Sequence, residues 1–155
     1  MVDTNTSQQS SFRVRRPREH VELMDELTAK DQPFSNYRDL LGFAAALGWS
    51  LGKRTPFQHT AEPIAWGTFT YNPGNEALVD MLTAVDSDDP EALSTANLRN
   101  RIQTFEEYAN TGLHALSQMR GSTSSLEAFT QLIMQHENQS DGPAIEDLMS
   151  ELSSM

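Results

Sequence analysis

The longest apolar stretch of the chain covers residues 34–57, FSNYRDLLGFAAALGWSLGKRTPF. Its apolar residues recur at the i, i+3, i+4, i+7 spacing of one helix face, and Phe43 and Trp49 widen that face until little of the circumference is polar. The pattern therefore predicts a buried helix at the centre of the fold. Ser35 is suited to cap its first turn, and Gly52 is suited to end it in a left-handed conformation.

This central helix is rich in small residues, namely Gly42, Ala44, Ala45, Ala46 and Gly48. Small side chains allow a second helix to approach closely, so the same face suits either the centre of a core or the seam of a symmetric dimer. Together with an exposed strand edge near the N-terminus, it predicts a homodimer.

Helical spacing of apolar residues also appears before and after the central helix. It predicts helices over residues 18–29, 77–85, 94–119 and 126–133, and a short helical piece that starts at Pro90. Gly112 lies in the middle of the long helix, where it indicates a kink or a close helix contact. Strand patterns are limited to residues 12–16 and 64–71. The fold class predicted is mainly α, a compact helical domain of five to six helices with a short N-terminal strand.

The chain is predicted to have three parts. Residues 1–11 are polar and predict a disordered arm, residues 12–139 form a single helical domain, and residues 140–155 form a hinge followed by an acidic amphipathic helix. That last helix either docks on its own domain or inserts into a groove of another protein. Its candidate partner-binding residues are Ile145, Leu148, Met149 and Leu152.

Charge is unevenly distributed along the 155 residues, whose formal net charge is −11. Residues 1–60 hold eight Lys and Arg against seven Asp and Glu, whereas residues 61–155 hold three against fifteen. Any nucleic-acid surface must therefore lie in the first part, because the second would repel phosphate. The chain has no Cys, no apolar run long enough to span a membrane and no signal-peptide pattern, so we expect a cytoplasmic protein that contacts no membrane.

Motifs for catalysis are not evident. The glycines of GWSLGKRT do not have phosphate-loop spacing, and His20, His59, His114 and His136 share no metal-ligand spacing. We therefore expect no enzyme activity, no catalytic residue, no cofactor and no metal.

One arrangement near the N-terminus does suggest DNA binding. A short basic strand, a helix, a turn and a second helix follow one another as in a ribbon-helix-helix module, in which strands of two subunits pair and enter the major groove. The candidate DNA-binding residues are Arg13, Arg15, Arg38, Lys53 and Arg54. The alternative is an edge strand with a solvated arginine face.

Three blocks of sequence resemble a known family: FAAALGWSLGKRTPF (43–57), AEPIAWGTF (61–69) and FEEYANTGLHAL (105–116). They are similar to dnd system-associated protein 4, which is encoded beside the genes for DNA phosphorothioation, where sulfur replaces a non-bridging phosphate oxygen. The resemblance covers about residues 12–120 and implies no catalytic residue. It implies the context of an antiviral defence, or restriction-modification, system that marks DNA.

The resemblance and the absence of a catalytic motif together indicate a non-enzymatic accessory or adaptor protein of such a system, whose partners are other proteins of the phosphorothioation system. DNA is left open as a further partner through the N-terminal module. The alternative is a ribbon-helix-helix DNA-binding regulator of the same locus, and a more distant one is a nuclease with an unrecognised site.

Overall fold

The computed structural model describes residues 11–119 and the single residue Met134. In chain order the elements are β1 (Arg13–Val14), a 3-10 helix (Arg18–His20), α1 (Val21–Leu27), α2 (Tyr37–Ser50), β2 (Ile64–Ala65), α3 (Trp66–Phe69), α4 (Pro73–Asp86), two 3-10 helices (Pro90–Leu93 and Thr95–Asn97) and α5 (Leu98–Met119). The predicted mainly helical fold with a short N-terminal strand is confirmed. The predicted arm, the helix over 126–133 and the C-terminal helix lie outside the described residues.

The central helix predicted over residues 35–51 is α2. Its cap is Asn36 and not Ser35, since the Asn36 side chain accepts a hydrogen bond from the Asp39 amide at 3.0 Å. Gly52 ends the helix with a φ of +70°, as predicted. The prediction of burial all round is wrong on one side, where Trp49 is 48% exposed.

Helix α2 packs against α5 with almost no space between the two backbones. A Cβ atom on Gly48 would lie 1.9 Å from the Tyr108 carbonyl oxygen, and one on Gly112 would lie 1.9 Å from the Ala44 carbonyl oxygen. The close helix contact predicted for Gly112 is therefore confirmed. The small residues of α2 at this contact pack against α5 of the same chain, so their small size is explained without a dimer.

Strand β1 pairs antiparallel with β2 of the same chain, with Arg13 opposite Ala65 and Val14 opposite Ile64. On its other edge, the Arg15 amide donates to the Glu106 carboxylate at 2.5 Å. The order strand, helix, helix is present. Within this chain β1 pairs with β2, whereas a ribbon-helix-helix dimer pairs this strand with the same strand of a second subunit.

Aromatic and aliphatic side chains from all five α-helices form one buried hydrophobic cluster. The Phe69 and Phe105 rings are in edge contact at 5.1 Å between centroids, and both are fully buried. The strand predicted over 64–71 is shorter than expected, because α3 begins at Trp66 and carries Trp66 and Phe69 into this core. Among the described residues, no helix is both long and apolar enough to cross a membrane.

Candidate functional site

Arg15, predicted to bind DNA, is held by a buried carboxylate of α5. Its guanidinium donates to both carboxylate oxygens of Glu106 at 3.0–3.2 Å, and Glu106 is 3% exposed. Burial raises the pKa of Glu106 above its ordinary value, and the hydrogen bonds and charge of Arg15 oppose that rise. Arg15 therefore compensates a buried charge, which is a structural role.

Arg54, also predicted to bind DNA, likewise forms ion pairs with carboxylates of its own chain. Its guanidinium contacts Asp86 at 2.7 Å and Glu107 at 3.1 Å. The Tyr108 hydroxyl donates to the second oxygen of Asp86 at 2.6 Å. Burial, followed by this hydrogen bond and the charge of Asp86, raises the pKa of Tyr108 to about 12.

The remaining predicted DNA-binding residues do not form one surface. Arg38 donates to the Thr68 carbonyl oxygen at 3.0 Å, whereas Arg13 and Lys53 are exposed and form no ion pair within residues 11–119. Arg13 lines a cleft of about 450 Å³ between β1 and α5, and Lys53 lines a different depression beside the second half of α5. The five residues are thus dispersed.

Arg99 joins Arg13 and Arg15 in that cleft, although the sequence analysis did not select it. Its guanidinium carbon lies 5.4 Å from the centre of the Phe12 ring. Arg99 is exposed and has no ion pair among the described residues. Only the packing of β1 on α5 brings it beside Arg13, so spacing along the chain carried no signal.

A second surface combines exposed apolar and acidic side chains. Its residues are Met81, Val85, Asp88, Asp89, Glu91 and Leu93, and we call it the α4 face. Met81 and Val85 lie one helical turn apart on α4 and are 62% and 57% exposed, while Leu93 extends from the 3-10 helix Pro90–Leu93, which packs on α4. The three acids are exposed and form no ion pair with any described residue. This face therefore pairs uncovered apolar area with unneutralised negative charge.

One of these acids also caps a turn. Asp89 accepts a hydrogen bond from the Glu91 amide at 3.0 Å at the start of the 3-10 helix. Met81 and Val85 belong to the apolar pattern that predicted a helix over residues 77–85, and that pattern did not show that their side of the helix is exposed. The candidate partner-binding residues of the C-terminal helix lie outside the described residues.

Glu19, His20 and His114 form a cluster that could hold a metal ion. One ligand atom from each lies within 4.8 Å of those of the other two. The His20 and His114 rings meet edge to face at 4.5 Å between centroids, and His114 Nε2 is 3.7 Å from a Glu19 carboxylate oxygen. Burial and the nearby His114 lower the pKa of His20, while Glu19 and the neighbouring Asn110 side chain oppose this.

The three sequence blocks that carry the family resemblance meet in space. From the first block, the Thr55 amide donates to the Glu107 carbonyl oxygen at 3.1 Å, and the Thr55 carbonyl oxygen accepts from the Asn110 side chain at 3.0 Å, both in the third block. Phe69 of the second block packs on Phe105 of the third. The blocks therefore form one continuous contact around α5.

Comparison with known proteins agrees with this grouping. A family model described as DNA sulphur modification system-associated protein 4 matches residues 13–152, so it continues past residue 120, where the sequence resemblance was expected to end. No curated protein and no solved structure matches the chain. Since the match covers most of the 155 residues, the chain belongs to the family of DNA sulphur modification system-associated protein 4.

Proposed function

We propose that the chain is a non-enzymatic adaptor of a DNA sulphur modification system, and that its α4 face binds a basic surface of another protein of that system. The observation that carries this proposal is the exposure of Met81, Val85 and Leu93 beside three acids that lack a cationic partner among the described residues. Family membership supplies the system to which the partner belongs.

The chemistry of the α4 face favours a protein partner over DNA. Burying apolar surface lowers the free energy by about 25 cal/mol for each Å² removed from water. Grouped exposed apolar residues therefore commonly mark protein contacts. Asp88, Asp89 and Glu91 repel phosphate, but they attract Lys and Arg and so orient a basic partner. Proteins that act on DNA commonly carry such basic surfaces.

The buried carboxylates of α5 support a non-enzymatic role. Glu106 is neutralised by Arg15, and Glu107 by Arg54, with a further hydrogen bond from the Gln103 amide at 3.0 Å. These groups are thus occupied in holding the fold. Metal-dependent cleavage of plasmid DNA by the purified chain, lost on substitution of a single carboxylate, would contradict this part of the proposal.

DNA contact is a second candidate function, supported by the cleft between β1 and α5. Arg13 and Arg99 face it without an acidic partner among residues 11–119, and the Phe12 ring lies beside Arg99. About two phosphates would be neutralised, which corresponds to a slope of roughly −2 in log K against log salt. Fluorescence anisotropy with a labelled duplex at two salt concentrations tests this. Undetectable binding at micromolar protein would exclude it.

Two further predictions are kept as part of the proposal. The residues Ile145, Leu148, Met149 and Leu152 are proposed as a second partner-binding segment, which deletion of residues 141–155 tests. A homodimer is also proposed. The two features that predicted it, the small residues of α2 and the edge of β1, contact α5 and β2 of the same chain. Light scattering at tens of micromolar protein will decide between dimer and monomer.

Co-purification with a charge-reversed variant tests the adaptor proposal. Asp88→Lys with Glu91→Lys reverses the α4 face, and Glu22→Lys with Glu62→Lys makes the same change in net charge on exposed positions elsewhere. Each tagged chain is co-expressed with the individual proteins of the modification system from its host. We expect one of them to co-purify with the wild-type chain and the control, and to be lost from the α4-face variant. Equal retention by both variants would contradict the proposal.

A further inference from the structure

Two buried polar atoms beside the Glu19, His20 and His114 cluster are left without a partner. His20 is 3% exposed and Asn110 is 2% exposed, and the two side chains lie close enough for Asn110 to raise the pKa of His20. Neither His20 Nε2 nor Asn110 Oδ1 makes a hydrogen bond of ordinary geometry with a described residue. An unpaired buried polar atom costs free energy, so natural folds usually supply a partner, an ordered water or an ion. His20 belongs to the cluster and Asn110 adjoins it, so a ligand bound there would supply the partner that His20 Nε2 lacks.

The cluster also borders an open space. Glu19, Asn110 and His114 line a cavity of about 420 Å³ between the 3-10 helix Arg18–His20, the segment 55–59 and the middle of α5, and His59 lies on its wall. An ion held by the cluster would therefore be reachable from solvent. The fold brings together residues 95 positions apart, which is why spacing along the chain gave no indication of a site.

We propose that Glu19, His20 and His114 form a binding site for a divalent transition-metal cation such as Zn²⁺. Two imidazoles and one carboxylate are ligands that Zn²⁺ accepts at about 2.0–2.2 Å. Tetrahedral ligands at that distance lie about 3.4 Å apart, and His114 Nε2 is already 3.7 Å from Glu19. The Glu19 and His114 side chains are 68% and 40% exposed, so both can close onto His20, which the core holds in place.

Three protein ligands leave a coordination position open toward the cavity, where water would bind. Asn110 is one of the residues lining that cavity, and its buried Oδ1 is an acceptor suited to a hydrogen bond from such a water. The ion would also join the 3-10 helix Arg18–His20 to α5 and so secure the segment that follows β1. Mg²⁺ prefers an all-oxygen shell, so it should not occupy this site. The site lies apart from the α4 face, and the inference does not depend on the proposed function.

Isothermal titration of the full chain with Zn²⁺ alone tests the proposal. We expect one ion per chain at micromolar affinity or tighter, no binding of Mg²⁺, and a higher thermal midpoint with Zn²⁺. His114→Ala should weaken binding by about tenfold or more, and Glu19→Gln by several-fold, because each removes one ligand. Both positions are exposed enough for the variants to fold.

His59→Ala is the matched control, since His59 lines the same cavity but is not one of the three ligands. Its Zn²⁺ affinity should stay within about twofold of the wild-type value. Substitution with Co²⁺ adds a spectroscopic measurement, because tetrahedral coordination intensifies its visible absorption relative to the octahedral aqueous ion, and His114→Ala should reduce that intensity. No binding of Zn²⁺, or equal loss in His59→Ala and His114→Ala, would overturn the proposal.

Discussion

Gly48 and Gly112 face each other where α2 crosses α5. A Cβ atom on Gly48 would lie 3.2 Å from the Gly112 nitrogen, closer than nearly all real Cβ contacts, and 1.9 Å from the Tyr108 carbonyl oxygen. Both obstacles are backbone atoms, which cannot rotate away as side chains do. The position of α5, and with it the positions of Glu106 and Glu107, depends on these two residues having no side chain.

Alanine at either glycine should therefore destabilise the fold. We expect Gly48→Ala and Gly112→Ala to lower the free energy of unfolding by about 3 kcal/mol or more, because the helices must separate. Gly42→Ala is the matched control on α2, where the nearest atom is 3.6 Å away. Since alanine is the better helix former, that variant should be neutral or about 1 kcal/mol more stable. Urea unfolding measures all three, and equal stability would contradict the packing.

Features of the fold that depend on neighbouring residues in the sequence could be predicted, whereas those that depend on residues far apart in the sequence could not. Helix α5 and the end of α2 at Gly52 were predicted because periodicity and glycine conformation are local properties of the chain. The partner of β1 could not be predicted, since β2 lies about 50 residues away and is two residues long. Trp49 was assigned to the core because an apolar pattern does not show which side of a helix stays uncovered.

Arg15 should matter for stability, whereas Arg13 should not. Arg15→Ala leaves the Glu106 carboxylate buried without its cation, which we expect to cost about 2 kcal/mol or more after allowance for the partial exposure of Arg15. Arg13 is exposed and has no ion pair among the described residues, so Arg13→Ala should change the free energy of unfolding by less than about 0.5 kcal/mol. Adding Glu106→Gln to Arg15→Ala should restore part of the loss, because it removes the charge.

The raised pKa of Tyr108 leads us to expect that the folded chain loses stability at alkaline pH. Its pKa is about 12 in the folded chain, against about 10 when unfolded, so the folded state keeps the proton to higher pH. The stabilisation is fully present below pH 10 and is lost as pH rises through 12, and two pKa units at 1.36 kcal/mol each set an upper limit of about 2.7 kcal/mol on the loss. Denaturant unfolding across this range should show the decline, and Tyr108→Phe should reduce it. A decline of the same size in Tyr108→Phe would contradict the assignment.

The two tryptophans should differ in access to solvent. Trp49 is 48% exposed and Trp66 is 6% exposed, so acrylamide should quench the emission of Trp49 readily and that of Trp66 weakly. Trp49→Phe is therefore expected to leave emission that resists quenching until the chain is unfolded. Strong quenching in that variant under native conditions would show that α3 does not bury Trp66.

Less of the candidate sites than of the fold was predictable. The candidate DNA-binding residues Arg13, Arg15, Arg38, Lys53 and Arg54 were selected from the eight basic residues of the first part. A sequence does not show which of these cations are neutralised by acids far along the chain. Arg15 and Glu106 are 91 positions apart. The cluster of Glu19, His20 and His114 was not predicted for the same reason, since His114 is far along the chain from the other two residues. The α4 face was missed because its apolar residues have the spacing of a core helix.

The dissociation constant of the complex between this chain and its partner in the DNA sulphur modification system tests the adaptor proposal most directly. Isothermal titration with the co-purifying protein should compare the wild-type chain, the variant Asp88→Lys with Glu91→Lys, and the control Glu22→Lys with Glu62→Lys. The account predicts at least tenfold weaker binding for the α4-face variant, or about 1.4 kcal/mol, and little change for the control. An unchanged dissociation constant in the α4-face variant, or equal weakening in both variants, would contradict it.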